Sequence, residues 1–205
     1  VYKRQDEEFI LSSTGALDLD KLPKRIAIVG GGYIGLEIGC ALAKLGSDVT
    51  IIEGMGSILE IMDKEIRRPL ELWLKKNGVA VHTGSLARGV EIKGKGASRK
   101  VELYFERDGE DHRVKVDKIL VTVGRKPNTK GWGLENMGVR MDSSGRFIRI
   151  DRKCRTSIPG VYAIGDVSGE PMLAHKASAE GEMVAEIIAC HLYTSDAADD
   201  SLRVD

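Results

Sequence analysis

Three glycines in the stretch AIVGGGYIGLEIG, residues 27–39, follow the spacing Gly30-x-Gly32-x-x-Gly35. The apolar run IAIV precedes them and a helix-forming run follows. Such a turn is suited to holding an anion. Gly30 permits the tight turn, Gly32 lets the backbone approach a diphosphate with no Cβ in the way, and Gly35 lets the helix pack closely on its strand. The helix start, carried by Gly31, Gly32, Tyr33 and Ile34, then offers free N–H groups and a partial positive charge to phosphate. The next apolar run, DVTII, ends at Glu53. A carboxylate there would accept hydrogen bonds from both ribose hydroxyls of an adenosine and repel a 2′-phosphate, so the pattern predicts NAD rather than NADP. The competing reading is a structural glycine turn followed by an ordinary surface glutamate. Strand, helix and acid in register count against it.

No catalytic centre accompanies this binding pattern. None of Tyr2, Tyr33, Tyr104, Tyr162 and Tyr193 has a lysine four residues on, as a short-chain dehydrogenase would need. The four histidines are scattered, and neither a Ser-His-Asp triad nor a metal-ligand cluster emerges. Basic and acidic residues number 31 each, so charge offers no reason to expect a nucleic-acid partner. No apolar run would span a bilayer and no secretory signal pattern opens the chain, so no membrane association is expected. Cys40, Cys154 and Cys190 form no CxxC or CxxxxC pair. That predicts a reducing, cytoplasmic setting and small buried thiols rather than a disulfide framework.

The elements that must position the turn follow from periodicity. Residues 26–29 read as a strand, 33–45 as a helix ended by Gly46, and DVTII as a second strand. MDKEIRRPLELWLKKNG reads as a second helix, with Asp63 placed to cap it, Pro69 to kink it or tighten its first turns, and Gly78 just past its end. VAVHT is a third strand. From there to about Val116 the alternating, charged pattern predicts antiparallel hairpins, and KILVTVG a buried parallel strand. RKPNTKGWGLENMG reads as loop with a short helical turn, FIRIDRKCRTSIPGVYAIGDV as two strand-like stretches around a turn, and PMLAHKASAEGEMVAEIIAC as a helix. The order predicts an α/β fold: a doubly wound, Rossmann-type NAD-binding domain over residues 20–142 with an antiparallel hairpin insertion, and part of a second domain over 143–190.

The two ends read differently. VYKRQ, residues 1–5, can be encoded by GTGTATAAGAGACAG, whose reverse complement in one frame gives Cys-Leu-Leu-Tyr-Thr. The chain carries Cys190-His191-Leu192-Tyr193-Thr194, four matches of five. This inverted repeat resembles a transposon end of the kind used in sequencing adapters. Residues 1–19 are therefore expected to hold adapter-derived residues, a domain remnant and a linker, and residues 191–205 a non-native tail. On that reading the chain is an internal piece of a longer protein; natural flexible termini are the alternative.

LSSTGAL, VGGGYIGLEIG, VTVGRKPNT, GVYAIGDV and PMLAHKASAEG occur in this order and together resemble the flavoprotein disulfide reductases, over about residues 9–189. Within that family they most closely resemble the dihydrolipoamide dehydrogenases. The resemblance implies FAD and NAD as cofactors, a redox disulfide, a homodimer, and electron transfer to NAD from dihydrolipoamide carried on an acyltransferase component of a complex. Residues 143–190 would then be the second segment of an FAD domain. Asp166, in the GxxAxGD match, would bind the flavin's ribityl chain. Met172, Leu173, Ala174 and His175 would lie beside the isoalloxazine at a helix start, whose partial positive charge suits the anion of reduced flavin. A turn role for Asp166 and a capping or packing role for His175 are the alternatives. Tyr33 and Glu37, four apart, share a helix face. By resemblance Tyr33 would cover the flavin where nicotinamide enters, and Glu37 would pair with a lysine that this chain does not contain; a surface glutamate is the alternative for Glu37. Gly124 would let backbone approach NAD, and Leu86 would line its adenine site.

The family's first glycine fingerprint, its CxxxxC pair and its C-terminal interface domain have no match in this sequence. No catalytic residue and no metal ligand is therefore assigned, and the chain alone is expected to be inactive. Mercuric reductase, soluble transhydrogenase and NADH oxidase share the architecture and stay open as alternatives, although MLAHKAS and Glu53 favour the dehydrogenase. A non-catalytic NAD-binding module for sensing or interaction is the alternative from another class.

Overall fold

The computed structural model describes residues 5–94 and 100–189; the expected C-terminal tail and Cys190 lie outside the described residues. The chain divides into two compact units, residues 1–124 and 125–205. In the first, β1 (Ile10–Leu11), α1 (Ser13–Leu17), β2 (Arg25–Val29), α2 (Tyr33–Lys44), β3 (Asp48–Ile52), α3 (Lys64–Lys76), β4 (Ala80–His82), β5 (Ser85–Lys93), β6 (Lys100–Arg107), β7 (Glu110–Val116) and β8 (Lys118–Val121) follow one another. One sheet, entirely parallel, has the order β1-β8-β2-β3-β4, and β5-β6-β7 form an antiparallel sheet.

Side chains alternate along a strand, so β2 has two distinct faces. Ile26 and Ile28 pack with Leu36 and Leu42 of α2 and Leu74 of α3. Ala27 and Val29 pack with Val101, Leu103 and Phe105 of β6. Helices cover one face and the antiparallel sheet covers the other. That double cover explains why Ile26, Ala27 and Ile28 are all 0% exposed and why β2 reads as a continuous apolar run. Burying each isoleucine stabilises the fold by about 2–3 kcal/mol.

The helices follow their local signals, with one exception. Gly46 and Gly78 follow the ends of α2 and α3 with φ of 103° and 72°, a left-handed backbone that favours glycine. α3 runs through the exposed Pro69. Asp63 occupies the cap position, but its carboxylate makes no capping bond; its main-chain carbonyl accepts from Ile66 and Arg67 at 3.1 Å each. Residues 10–17, which the sequence segmentation leaves outside the domain, form the sheet's edge. Ile10 and Leu11 pair with Ile119 and Leu120, and the Ser12 hydroxyl caps α1 by accepting from Gly15 N. A two-residue strand is too short to show a period, which is why the sequence pattern misses it.

The second unit holds 3-10 turns at Leu134–Met137 and Gly165–Val167 and the helix α4 (Ala174–Ile188). The stretch 125–142, drawn with the first domain in the sequence segmentation, packs here. Met141 bridges Ile148, Arg149 N donates to Arg140 O at 3.0 Å, and Leu134 packs with Ile148 and Ala163. The two strand-like stretches expected around 147–167 form only the isolated bridges Met141–Ile148 and Arg155–Tyr162. Two aspartates supply the reason. Asp142 Oδ1 accepts from the N–H groups of Arg146 and Phe147 at 3.1 Å each, and Asp151 Oδ1 from those of Lys153 and Arg155 at 2.9 Å each. These carboxylates take donors that a strand ladder would use. The Ser144 hydroxyl, with the neighbouring N–H donors, holds Asp142 below the usual carboxylate range, and the Arg155 N–H leads the same effect on Asp151. Among the described residues no helix is long and apolar enough to cross a membrane.

Candidate functional site

The glycine turn sits where β2 ends, between β3 and β8. This is the crevice at the carboxyl ends of parallel strands where open α/β sheets bind ligands. Gly30 has φ of 110°, and a Cβ on it would stand 2.6 Å from Thr122 O. A Cβ on Gly35 would stand 2.3 Å from Gly30 O, and one on Gly31 would stand 2.9 Å from Ile58 Cγ2. A Cβ on Gly32 would meet nothing within 4 Å. The protein's own packing therefore demands glycine at 30, 31 and 35 but not at 32. Gly32 is the N-cap of α2 and makes no side-chain capping bond, so the first-turn N–H groups face the space beside it. That open cradle, which a Cβ would fill, fits a diphosphate.

Glu53 is fixed by both its main chain and its side chain. Its N–H donates to His82 O and its carbonyl accepts from Ser85 N, each at 2.8 Å. Its carboxylate Oε2 accepts from Gly31 N at 2.5 Å and Oε1 from Met55 N at 2.7 Å. A carboxylate offers about four acceptor sites, so each oxygen keeps capacity for a ribose hydroxyl. Ser85 opens β5 and brings Leu86 alongside, 3.9 Å from where a Cβ of Gly54 would stand. Leu86 is 52% exposed, an uncovered apolar surface suited to the flat face of an adenine.

Glu53→Gln tests the carboxylate. The new amide would turn an N–H donor toward one of two backbone N–H donors. The expected loss of NADH affinity is about tenfold or more, the cost of losing charge-assisted hydrogen bonds. Titration of NADH fluorescence checks it, and unchanged affinity would remove Glu53 from the site.

The first unit thus gathers Gly30, Gly31, Gly32, Tyr33, Ile34, Gly35, Glu53 and Leu86 around the ends of β2 and β3. Tyr33 and Ile34 are half-buried in the first turn of α2, and Glu37 is exposed one turn later. Gly124 lies beyond β8 with φ of 132°, which favours glycine. The sequence pattern did not single out Ile58, Ser85 or Thr122, which reach Gly31, Glu53 and Gly30 through tertiary contacts, or Met55, whose N–H reaches the Glu53 carboxylate from two residues on.

In the second unit Asp166 lies in the turn Gly165–Val167, and its Oδ2 pairs with the Arg125 guanidinium at 3.2 Å. α4 holds the same turn. Gly165 N donates to Glu180 Oε2 at 2.7 Å, and Lys176 Nζ donates to Gly165 O and Ser168 Oγ at 3.0 Å and to Gly169 O at 3.2 Å. Lys176 and Glu180 pair with each other at 3.1 Å, one helical turn apart. Met172 is buried, Leu173 is the N-cap of α4, and Ala174 and His175 are exposed in its first turn. Leu173, Ala174 and His175 open the helix and Met172 precedes its cap, and the fold holds Asp166 and this helix start in one unit. Arg125, Ser168, Lys176 and Glu180 went unassigned in the sequence; the spacing of Lys176 and Glu180 was the available signal.

Cys40 and Cys154 are free thiols, and burial raises the pKa of both, which keeps them protonated. Among the described residues no cluster could hold a metal ion.

Comparison with known proteins gives the family. The family profile described as pyridine nucleotide-disulphide oxidoreductase matches residues 3–181. A dihydrolipoyl dehydrogenase from Geobacillus stearothermophilus is 48% identical over 182 residues, 89% of this chain and 38% of the relative. Another from Pseudomonas aeruginosa is 46% identical over 182 residues, 88% of this chain and 37% of the relative. The chain thus spans well under half the length of these relatives. Among solved structures, LpdA from Mycobacterium tuberculosis superposes with a TM-score of 0.73 at 32% identity, covering 91% of this chain and 39% of that one. The HOCl-induced flavoprotein disulfide reductase RclA from Escherichia coli gives 0.74 at 27% identity, covering 87% and 39%. With a matched glycine turn, a fixed acidic partner and a profile match over most of its length, the chain belongs to the pyridine nucleotide-disulphide oxidoreductase family.

Proposed function

We propose that this chain is the NAD-binding unit, with part of the FAD-binding unit, of a dihydrolipoyl dehydrogenase. The observation that carries the reading is the Glu53 carboxylate, held by Gly31 N and Met55 N beside the open cradle at Gly32. When bound, NAD supplies the hydride acceptor and FAD the relay between substrate thiols and the nicotinamide. The chain's own residues bind and orient. Gly32 and the start of α2 receive the diphosphate, Glu53 receives the adenosine ribose, and Leu86 covers the adenine. Tyr33 and Gly124 would serve the nicotinamide half. Asp166 receives the ribityl hydroxyls, and Met172, Leu173, Ala174 and His175 border the isoalloxazine.

Relatives named dihydrolipoyl dehydrogenase at 42–48% identity support this substrate over the mercuric reductase, transhydrogenase and NADH oxidase alternatives. The Asp166 turn, fastened to α4 by Lys176 and Glu180, speaks against a non-catalytic NAD sensor, which would not need it. In the complete enzyme the partners are dihydrolipoamide on an acyltransferase component and a second copy of the chain, in a reducing, cytoplasmic setting.

Titrating the chain with NADH and NADPH tests the reading. NADH is expected to bind at least about tenfold more tightly, because Glu53 meets a 2′-phosphate with like charge. Equal affinity, or none for either, would overturn it. With no CxxxxC pair in the sequence, no lipoamide-dependent NADH formation is expected from this chain alone. Robust turnover would sink that part of the proposal.

A further inference from the structure

We infer that Thr122 is a positioning residue for the anion site: its hydroxyl and the Glu53 carboxylate hold opposite ends of the Gly30–Gly31 peptide and so aim the glycine turn at its ligand. The inference rests on the NAD reading and assigns a role to a residue outside the fingerprint.

Thr122 follows β8, and β8 is the sheet neighbour of β2, with Val121 paired to Val29. Thr122 N donates to Val29 O at 2.8 Å, which extends the ladder one step past both strands. Its half-buried side chain then stands against the glycine turn. Thr122 Oγ1 lies 3.1 Å from Gly30 O and 3.3 Å from Val29 O, with the hydroxyl donating.

The peptide bond between Gly30 and Gly31 is planar and trans, so its C=O and N–H point in opposite directions. Thr122 takes the carbonyl end. Glu53 Oε2 takes the N–H end at 2.5 Å. The plane is thus fixed from both sides. The consequence is electrostatic. A glycine peptide has little steric preference of its own, and a flipped plane would turn the Gly30 carbonyl oxygen toward the Glu53 carboxylate, which would lose its hold on the turn ahead of α2. Like partial charges would then repel. With the hydroxyl bond in place, the carbonyl stays against β8. The packing around Gly35 agrees, since a Cβ there would strike both Gly30 O and Thr122 Oγ1, at 2.3 and 2.6 Å. Oxygen, hydroxyl and helix backbone interlock at one point.

The test separates anion positioning from general stability by using ligands with and without phosphate. Wild type, Thr122→Val and Thr122→Ser are each titrated with NADH, ADP and adenosine, with thermal melts run in parallel. Losing one neutral hydrogen bond predicts about fivefold weaker binding of both NADH and ADP to Thr122→Val. Adenosine is expected to change by less than about twofold, and Thr122→Ser to restore NADH and ADP affinity to within about twofold, because the donor is back. If Thr122→Val binds ADP as wild type does, or loses adenosine to the same degree as ADP, Thr122 has no phosphate-directed role. Should Thr122→Val fail to fold, Thr122→Ser against Thr122→Cys, alike in size and different in donor strength, carries the same comparison. Wild type that binds none of the three ligands overturns the NAD reading and this inference together. Wild type that binds all three, with unchanged variants, overturns this inference alone.

Discussion

Gly32→Ala will fold as the wild type does and bind NADH between about tenfold and a hundredfold more weakly, the range that an overlap costing 1–3 kcal/mol produces. Two small effects on stability oppose each other. Alanine is a poorer N-cap than glycine, by about 0.5–1 kcal/mol. Against that, alanine restricts the unfolded chain and stabilises the fold by about 0.4–1 kcal/mol at a compatible backbone. The backbone here is compatible, with φ of −79° and ψ of 177°. No protein atom lies within 4 Å of the added Cβ, so no packing term tips the balance. The melting temperature should stay within about 3 °C of wild type, since the two terms nearly cancel and 1 kcal/mol shifts a unit of this size by only about 3–5 °C. Binding differs because the new methyl occupies the cradle beside the α2 N-terminus. Paired melts and NADH titrations check both halves. A variant that melts normally and binds normally would show that the diphosphate does not use this cradle.

Gly35→Ala, chemically the same substitution three residues on, will cost the fold about 2–3 kcal/mol and abolish measurable NADH binding. Helix propensity alone predicts the opposite sign, since alanine is favoured over glycine inside a helix by about 1 kcal/mol. The steric term wins. The new Cβ would lie 2.3 Å from Gly30 O and 2.6 Å from Thr122 Oγ1. Gly30 O is main chain, held by the Thr122 hydroxyl, and cannot rotate out of the way as the end of a long side chain would. Relief requires α2 to move off β2. That displaces the N–H groups meant for the phosphates and loosens Leu36 from Ile26 and Ile28. A fall of about 6–12 °C in the melting temperature is expected for a unit of this size, read by circular dichroism. A variant as stable as wild type would mean that helix and strand are not in close contact at this glycine.

Relations between residues a few positions apart were legible before any fold was known. The apolar run of β2, the bounds of α2, the glycines that end α2 and α3, and the alternating hairpin strands are relations within one turn or a few pleats. Periodicity and capping chemistry therefore expose them. The glycine turn and Glu53 were legible for the same reason, as a motif on one strand-turn-helix unit with an acid at the end of the next strand. The order of five motifs carried the family.

Contacts that cross those units emerged only from the folded chain. Thr122 meets Gly30 from 92 residues away because β8 inserts beside β2, and no local spacing announces that. Arg125 reaches Asp166, and Lys176 and Glu180 grip the Gly165 turn, because α4 folds back on it. Residues 10–17 joined the sheet through pairing with β8, although two residues are too few to show a period. The segment FIRIDRKCRTSIPGVYAIGDV reads as two strand-like stretches, but the carboxylates of Asp142 and Asp151, within reach of nearby N–H groups, outcompeted a ladder. Local propensity chooses among conformations that differ by fractions of a kcal/mol per residue, whereas the sheet order, set by burying both faces of β2, fixes which distant groups meet at the site.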